Sequence, residues 1–209
     1  MCWMTLQQKT DALARSIVDT NPHEHGNGHS WGYAYAHDGE IHIEKGTGTI
    51  PETVDVPVTQ NAIVHTRFAT RGEVNRVNAH PFGIIYDGDV VAALAHNGTW
   101  LGAPRSDKYS DTWMMARLLE RNLNFRDGDF EAALADTVDT TGETVVVLSA
   151  DGTGYVHAGR FSITHNQNGV VASSGYDELS AGLYRFPEQG ELTLIEEGAE
   201  QETIRTYVE

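Results

Sequence analysis

Residues 31–37 and 40–45 alternate in side-chain character on either side of Asp38-Gly39. Alternation has the period of a strand, and Asp-Gly tolerates the positive φ of a tight hairpin turn. The strand-like residues 83–86 and 90–95 flank a second such signal, Asp87-Gly88-Asp89. A chain organised around hairpins forms antiparallel sheets, and the apolar faces of those sheets must be covered. Further strands are expected at 1–6, 62–68, 144–150, 154–160, 169–173 and 191–196. The cover comes from segments with helical period. Residues 111–122 place Met114, Met115, Leu118 and Leu119 on one side, and residues 130–138 turn Phe130, Ala133, Leu134 and Val138 toward a core. Residues 7–19 are expected as a further helix, with Leu6, Leu13 and Ile17 in helical spacing. Residues 20–30 read as a loop. Helices set between runs of hairpins predict an α+β layered fold.

Charge and length exclude several classes of function. The chain has 209 residues and is 40% hydrophobic, which suits one domain over residues 1–209. Its net charge is −16, with 30 acidic residues against 14 basic ones. Such a surface repels nucleic-acid phosphates, so no nucleic-acid partner is expected. No apolar run approaches the roughly 20 residues that cross a bilayer, and no secretory signal opens the chain. No membrane role is expected. The acids are spread along the chain instead of gathered in a tail, which favours adaptation to high salt over an acidic partner-binding face. The single cysteine leaves no internal disulfide and fits a cytoplasmic location.

That cysteine is Cys2. Once Met1 is removed, Cys2 carries a thiol and a free α-amine on one residue. A thiolate is a strong nucleophile, and an amine with a pKa near 8 can take the thiol proton. Taken by position, Cys2 is equally a small residue opening a strand. Three other pieces bear on it. Residues 65–72, His-Thr-Arg-Phe-Ala-Thr-Arg-Gly, leave a strand and enter a turn, followed by Asn78-Ala79-His80-Pro81-Phe82. Arg67 at the strand end can grip a carboxylate through paired hydrogen bonds, or simply be solvated. His96-Asn97-Gly98 is by itself a hairpin turn, yet it also offers an amide NH₂ and a backbone N–H as oxyanion donors. Ser110 or Asp111 is placed to cap a helix, and Asp111 can also hold an ammonium group.

In this order the pieces resemble the class II glutamine amidotransferase domain, a member of the N-terminal-nucleophile hydrolases. The resemblance runs from Cys2 to about residue 120, and residues 169–179 look like a late strand and turn of the same domain. It implies a four-layer αββα sandwich. It implies that Cys2 attacks the side-chain amide of glutamine and that Asn97 and Gly98 stabilise the oxyanion. Arg67 would bind the α-carboxylate, with Thr70, Arg71 and Gly72 beside it, and Asp111 the α-ammonium. The chain departs from the family in three places. It has Cys2-Trp3-Met4 where Cys-Gly-Ile is common, Gly28-His29-Ser30-Trp31-Gly32-Tyr33-Ala34 where linked synthases carry Arg-Gly-x-Asp-Ser, and Arg71 where His is frequent. The stretch at residues 28–34 is similar to that of a branch of small stand-alone amidotransferase-like proteins.

The resemblance implies a glutaminase; a separate synthetase subunit is expected to accept its ammonia, or the protein acts as a free-standing amidase, and no cofactor is expected. Two alternatives stay open: an amidase for another γ-glutamyl amide, and an idle domain used for binding or regulation. His23, His25, His29 and Glu24 suggest a metal, but they lack a cysteine ligand and helical i,i+4 spacing, so no metal site is expected. His65 and His80 are expected to be structural hydrogen bonders.

Overall fold

The computed structural model describes residues 3–7, 28–48, 61–159, 163–166, 169–172, 182–186 and 193–195. Twelve strands among them form two six-stranded antiparallel sheets. The first sheet contains β1 (Trp3–Gln7), β2 (Ser30–His37), β3 (Glu40–Thr47), β4 (Ala62–Arg67), β9 (Ile163–Asn166) and β10 (Gly169–Ala172), in the order β3-β2-β4-β1-β10-β9. The second contains β5 (Phe82–Tyr86), β6 (Asp89–Asn97), β7 (Thr144–Ser149), β8 (Gly154–Ala158), β11 (Gly182–Phe186) and β12 (Thr193–Leu194), in the order β12-β11-β8-β7-β6-β5. Both expected hairpins form. Their turns place Asp38 at φ 52° and Asp87 at φ 50°, each followed by a glycine of positive φ.

Strand alternation sorts the side chains into two cores. Met4, Leu6, Ala34, Ala36 and Ile63 of the first sheet meet Ala93, Ala95, Val146, Leu148, Val156 and Phe186 of the second. Small alanines on both sides let the sheets approach closely. The opposite face of the second sheet, including Leu94, Val145 and Val147, packs on helices α1 (Asp111–Phe125) and α2 (Phe130–Thr141). The helices supply Met115, Leu119, Leu123, Leu134 and Val138 to that core. Each such side chain contributes about 1.5–3 kcal/mol by leaving water. The layers are therefore sheet, sheet and helix, as three of the four expected ones. Gln7, the first residue of the helix expected at 7–19, ends β1 instead, and residues 8–19 lie outside the described residues.

Local chemistry fixes the helix ends. The Ser110 hydroxyl accepts the Trp113 N–H at 3.1 Å and caps α1, so Asp111 is the first helical residue and not the cap. Asp129 caps α2 in the same way by accepting from Ala132. Each helix extends three residues beyond the expected segment. Strands β9 and β11 carry no clear sequence signal, because four or five residues with little alternation mark a strand only weakly.

Candidate active site

The site residues gather where β4 and β6 end. Trp3 pairs with Thr66 and Met4 with His65, so the first described residue of β1 lies beside the end of β4. Cys2 itself lies outside the described residues. Alternation puts Arg67 on the same face of its strand as Ile63, and Asn97 on the same face as Ala93 and Ala95. These are the faces that the two sheets turn toward each other. Arg67 and Asn97 are both 3% exposed.

Asn97 is the last residue of β6, and the chain does not turn back there into a hairpin. Gly98 has φ 136°, a conformation that side chains disfavour, and the backbone leaves the sheet toward a turn at Trp100–Ala103. The Asn97 amide nitrogen is buried and has no hydrogen-bond partner among the described residues. An orphaned amide donor in a protein interior costs about 1–3 kcal/mol, so its retention at this place is informative.

The predicted substrate-binding residues form a cradle of loops tied by side chain to backbone. The Arg67 guanidinium donates to the carbonyls of Arg71 and, at 3.4 Å, of Glu73. It therefore shapes the loop that follows it. Arg71 reaches across to the carbonyls of Trp100 (3.0 Å) and Ala103 (3.2 Å). The Thr70 hydroxyl is 3.0 Å from that of Thr99. Gly72, at φ 70°, sits against the next loop so tightly that a Cβ there would lie 2.7 Å from the Ser110 nitrogen. Asp111 accepts the Trp100 N–H at 2.9 Å on one oxygen and the Thr112 N–H at 3.0 Å on the other. Each carboxylate oxygen can still accept one further bond.

Asn78 holds this assembly together, a role that the sequence did not reveal. Its amide donates to the carbonyls of Glu73 (3.1 Å) and Lys108 (2.7 Å), and its oxygen accepts the Ser110 N–H (2.9 Å). The partners lie up to 32 residues away, so no local pattern announces them. Arg105 likewise carries no sequence signal. With Thr70, Arg71, Gly72, Ser106 and Asp107 it lines a pocket of about 480 Å³.

Behind Asn97 lies a buried histidine cluster. His65 Nε2 is 3.2 Å from the His96 carbonyl and 3.1 Å from His80 Nδ1. Burial pushes the His65 pKa down to about 3 and holds that of His80 well below the ordinary histidine range. Both rings are therefore neutral at pH 7. The carbonyl contact requires the His65 proton on Nε2, which makes His80 Nδ1 an acceptor. Both act as structural hydrogen bonders here, as expected. His96 faces the helical layer, with Nδ1 3.1 Å from the Thr112 hydroxyl and Nε2 3.6 Å from a Glu143 oxygen.

Of the four residues considered for a metal, His23, Glu24 and His25 lie outside the described residues. His29 accepts the Ala69 N–H at 2.9 Å and stacks on Phe68 at 4.7 Å between ring centroids. Among the described residues no group of three His, Cys, Asp or Glu side chains is placed to hold a metal. No helix among them is long and apolar enough to cross a membrane.

No protein-family profile matches the chain. It is 32% identical over 136 residues to a glutamine–fructose-6-phosphate aminotransferase (isomerizing) of Halalkalibacterium halodurans, covering 53% of this chain and 23% of that protein. It is 28% identical over 195 residues to an amidophosphoribosyltransferase of Bacillus subtilis, covering 80% of this chain and 40% of that protein. The match thus spans less than half the length of either relative. Among solved structures, the fold superposes on glutamine phosphoribosylpyrophosphate (PRPP) amidotransferase from B. subtilis, complexed with ADP and GMP, with a TM-score of 0.63. The identity is 19%, and the superposition covers 93% of this chain and 49% of that one. Likeness at that identity carries the fold.

Proposed function

We propose, from the premise that this chain has the N-terminal-nucleophile hydrolase fold and class II glutamine amidotransferases as its homologues, that it is a glutaminase acting through Cys2. In this reading the Cys2 thiol gives its proton to the Cys2 α-amine, and the sulfur attacks the γ-carboxamide carbon of glutamine. The carbonyl π bond opens to an oxyanion, which takes hydrogen bonds from the Asn97 amide and the Gly98 N–H. When the oxyanion collapses, the C–N bond breaks and the amine returns the proton to departing ammonia. Water then attacks the thioester, the C–S bond breaks, and glutamate leaves with the thiol restored.

The observation that carries this reading is the buried, unpartnered amide nitrogen of Asn97. It lies at the end of the strand whose His96 carbonyl is contacted by His65, and His65 pairs with the second residue of β1. An oxyanion would satisfy that donor. The supporting features are Asp111, whose oxygens each keep acceptor capacity for an ammonium, and the loop held by Arg67 and Arg71. Arg67, which holds its own loop through the carbonyls of Arg71 and Glu73, is the residue proposed to receive the α-carboxylate.

The ammonia released would be taken up by a synthetase in the cytoplasm. The chain's −16 charge would suit a salt-rich one. An intact mass combined with ammonia release from glutamine, for the wild type and Cys2→Ala, tests the chemistry. Loss of Met1 with Cys2-dependent glutamate formation is the expected result. A processed protein inert toward glutamine but active on another γ-glutamyl amide would move the reading to that substrate. Retained Met1 without activity would favour a binding or regulatory subunit.

A further inference from the structure

Asn97, Gly98 and Thr99 form an arch whose two feet stand on the first turn of α1. The foot before the arch is a side chain, with His96 Nδ1 3.1 Å from the Thr112 hydroxyl. The foot after it is backbone, with the Trp100 N–H donating to Asp111 at 2.9 Å. The Trp100 carbonyl is held in turn by Arg71 at 3.0 Å. Both feet thus rest on consecutive residues of one helix, whose first turn is fixed by the Ser110 cap. The span between them contains the two groups proposed to stabilise the oxyanion.

His96 is gripped at several points and is 1% exposed. Its backbone pairs with Val145 of β7. Its carbonyl is contacted by His65 Nε2, from the first sheet, at 3.2 Å. On the helical side a Glu143 oxygen lies 3.6 Å from His96 Nε2, with both side chains buried. That separation is longer than a hydrogen bond and makes an electrostatic contact between a carboxylate and the edge of an imidazole. A carboxylate only accepts, so it favours the proton on Nε2, and the neutral ring then accepts the Thr112 hydroxyl proton at Nδ1. Alternation puts the ring and the Asn97 amide on opposite faces of β6. A change in the seat of the ring is therefore passed to the strand end that carries the amide.

We infer that His96 is a positioning residue: seated on Thr112 and oriented by Glu143, it sets the end of β6 so that the Asn97 amide and the Gly98 N–H converge on one oxyanion. The inference rests on the glutaminase reading for what those donors stabilise. His96 touches no reacting atom and acts through Asn97. Donors aligned in advance need no reorganisation when charge develops on the substrate. Their misplacement lowers kcat and leaves the binding of ground-state glutamine nearly unchanged.

Thr112→Val tests this, because it removes the hydroxyl with little change of shape and leaves the helix cap intact. Its kcat for ammonia release from glutamine is expected to fall about tenfold with KM nearly unchanged, and Thr112→Ser should restore the rate. Glu143→Gln, a second variant, should act in the same direction by a smaller factor. In an Asn97→Ala background Thr112→Val should change kcat little, because the donor that the ring places is already gone. Equal losses in both backgrounds would overturn the inference, as would a wild-type kcat in Thr112→Val or a loss confined to KM. A measurement without turnover accompanies the rates. The side-chain amide signals of Asn97, identified in heteronuclear NMR spectra by their loss in Asn97→Ala, should be one sharp pair in the wild type and in Thr112→Ser. They should broaden or split in Thr112→Val, and unchanged signals would also overturn the inference. Thr112-dependent signals in a protein that releases no ammonia from glutamine would keep the positioning role and remove the glutaminase reading.

Discussion

The loop cradle and the strand-end seam behind it treat polar groups in opposite ways. In the cradle, the side chains of Arg67, Arg71, Asn78 and Asp111 all bond to backbone groups of the loops around them. In the seam, Ser30, His65, Thr66, His80 and Asn97 are buried yet each keeps a side-chain atom without a partner among the described residues. A satisfied network fixes a shape. An unsatisfied buried donor or acceptor is a standing penalty that a ligand or a water molecule can relieve. In the proposed function the cradle is the mould of the site, and the seam carries its unsatisfied donors and acceptors.

Substitution of Asn97 provides the widest separation between the two. Asn97→Ala removes a donor that supports no neighbour, so the denaturation midpoint should hardly move. The rate of ammonia release from glutamine should nevertheless fall by about 10²–10³-fold, the effect of losing one oxyanion donor. A variant that lost stability and activity together would place Asn97 in the structural network instead. Asn78→Ala is the converse case. Removing three hydrogen bonds of roughly 1 kcal/mol each should destabilise the protein by about 3 kcal/mol in urea titration. The accompanying loosening of the cradle should raise KM more than it lowers kcat.

Acid should act on the seam before the cradle. His65 titrates near the ordinary value of about 6.5 when unfolded and at about 3 when folded. The unfolded chain thus binds the extra proton throughout that window. Stability from the neutral ring is complete above about pH 6.5 and declines as the pH falls toward about 3. Between pH 7 and pH 5 the loss due to His65 should be about 2 kcal/mol, and His80 adds in the same direction. Urea midpoints measured across this range should slope downward toward acid, and His65→Gln should flatten the slope. An unchanged slope would mean that the buried rings are not the acid-sensitive element.

The hairpins and the helical segments are legible in the sequence, because each depends on near neighbours. Asp-Gly turns and strand alternation mark β2, β3, β5 and β6. Helical spacing marks α1 and α2, although each runs three residues further than its apolar pattern. The ordered motifs around Cys2, Arg67, Asn97 and Asp111 point to the N-terminal-nucleophile hydrolase fold without help from tertiary contacts. The ambiguous Asn97-Gly98 shows the limit of such reading. Locally it is a hairpin signal, and only the register of β6 on β7, which runs through Asn97 opposite Thr144, identifies it as a strand end entering a loop.

What the sequence determined by itself was the set of residue types, the strand and helix periods, and the net charge of −16. What tertiary structure decided was which polar groups are occupied and which are available. Arg67, Arg71 and Arg105 are chemically the same side chain, and nothing within a few residues of each distinguishes their roles. They differ because Arg67 holds carbonyls of the loop that follows it, Arg71 reaches carbonyls of a loop brought close only by folding, and Arg105 lines the pocket beside them. Hydrogen bonding acts over about 3 Å in space, and the distance between these groups along the chain carries no record of it.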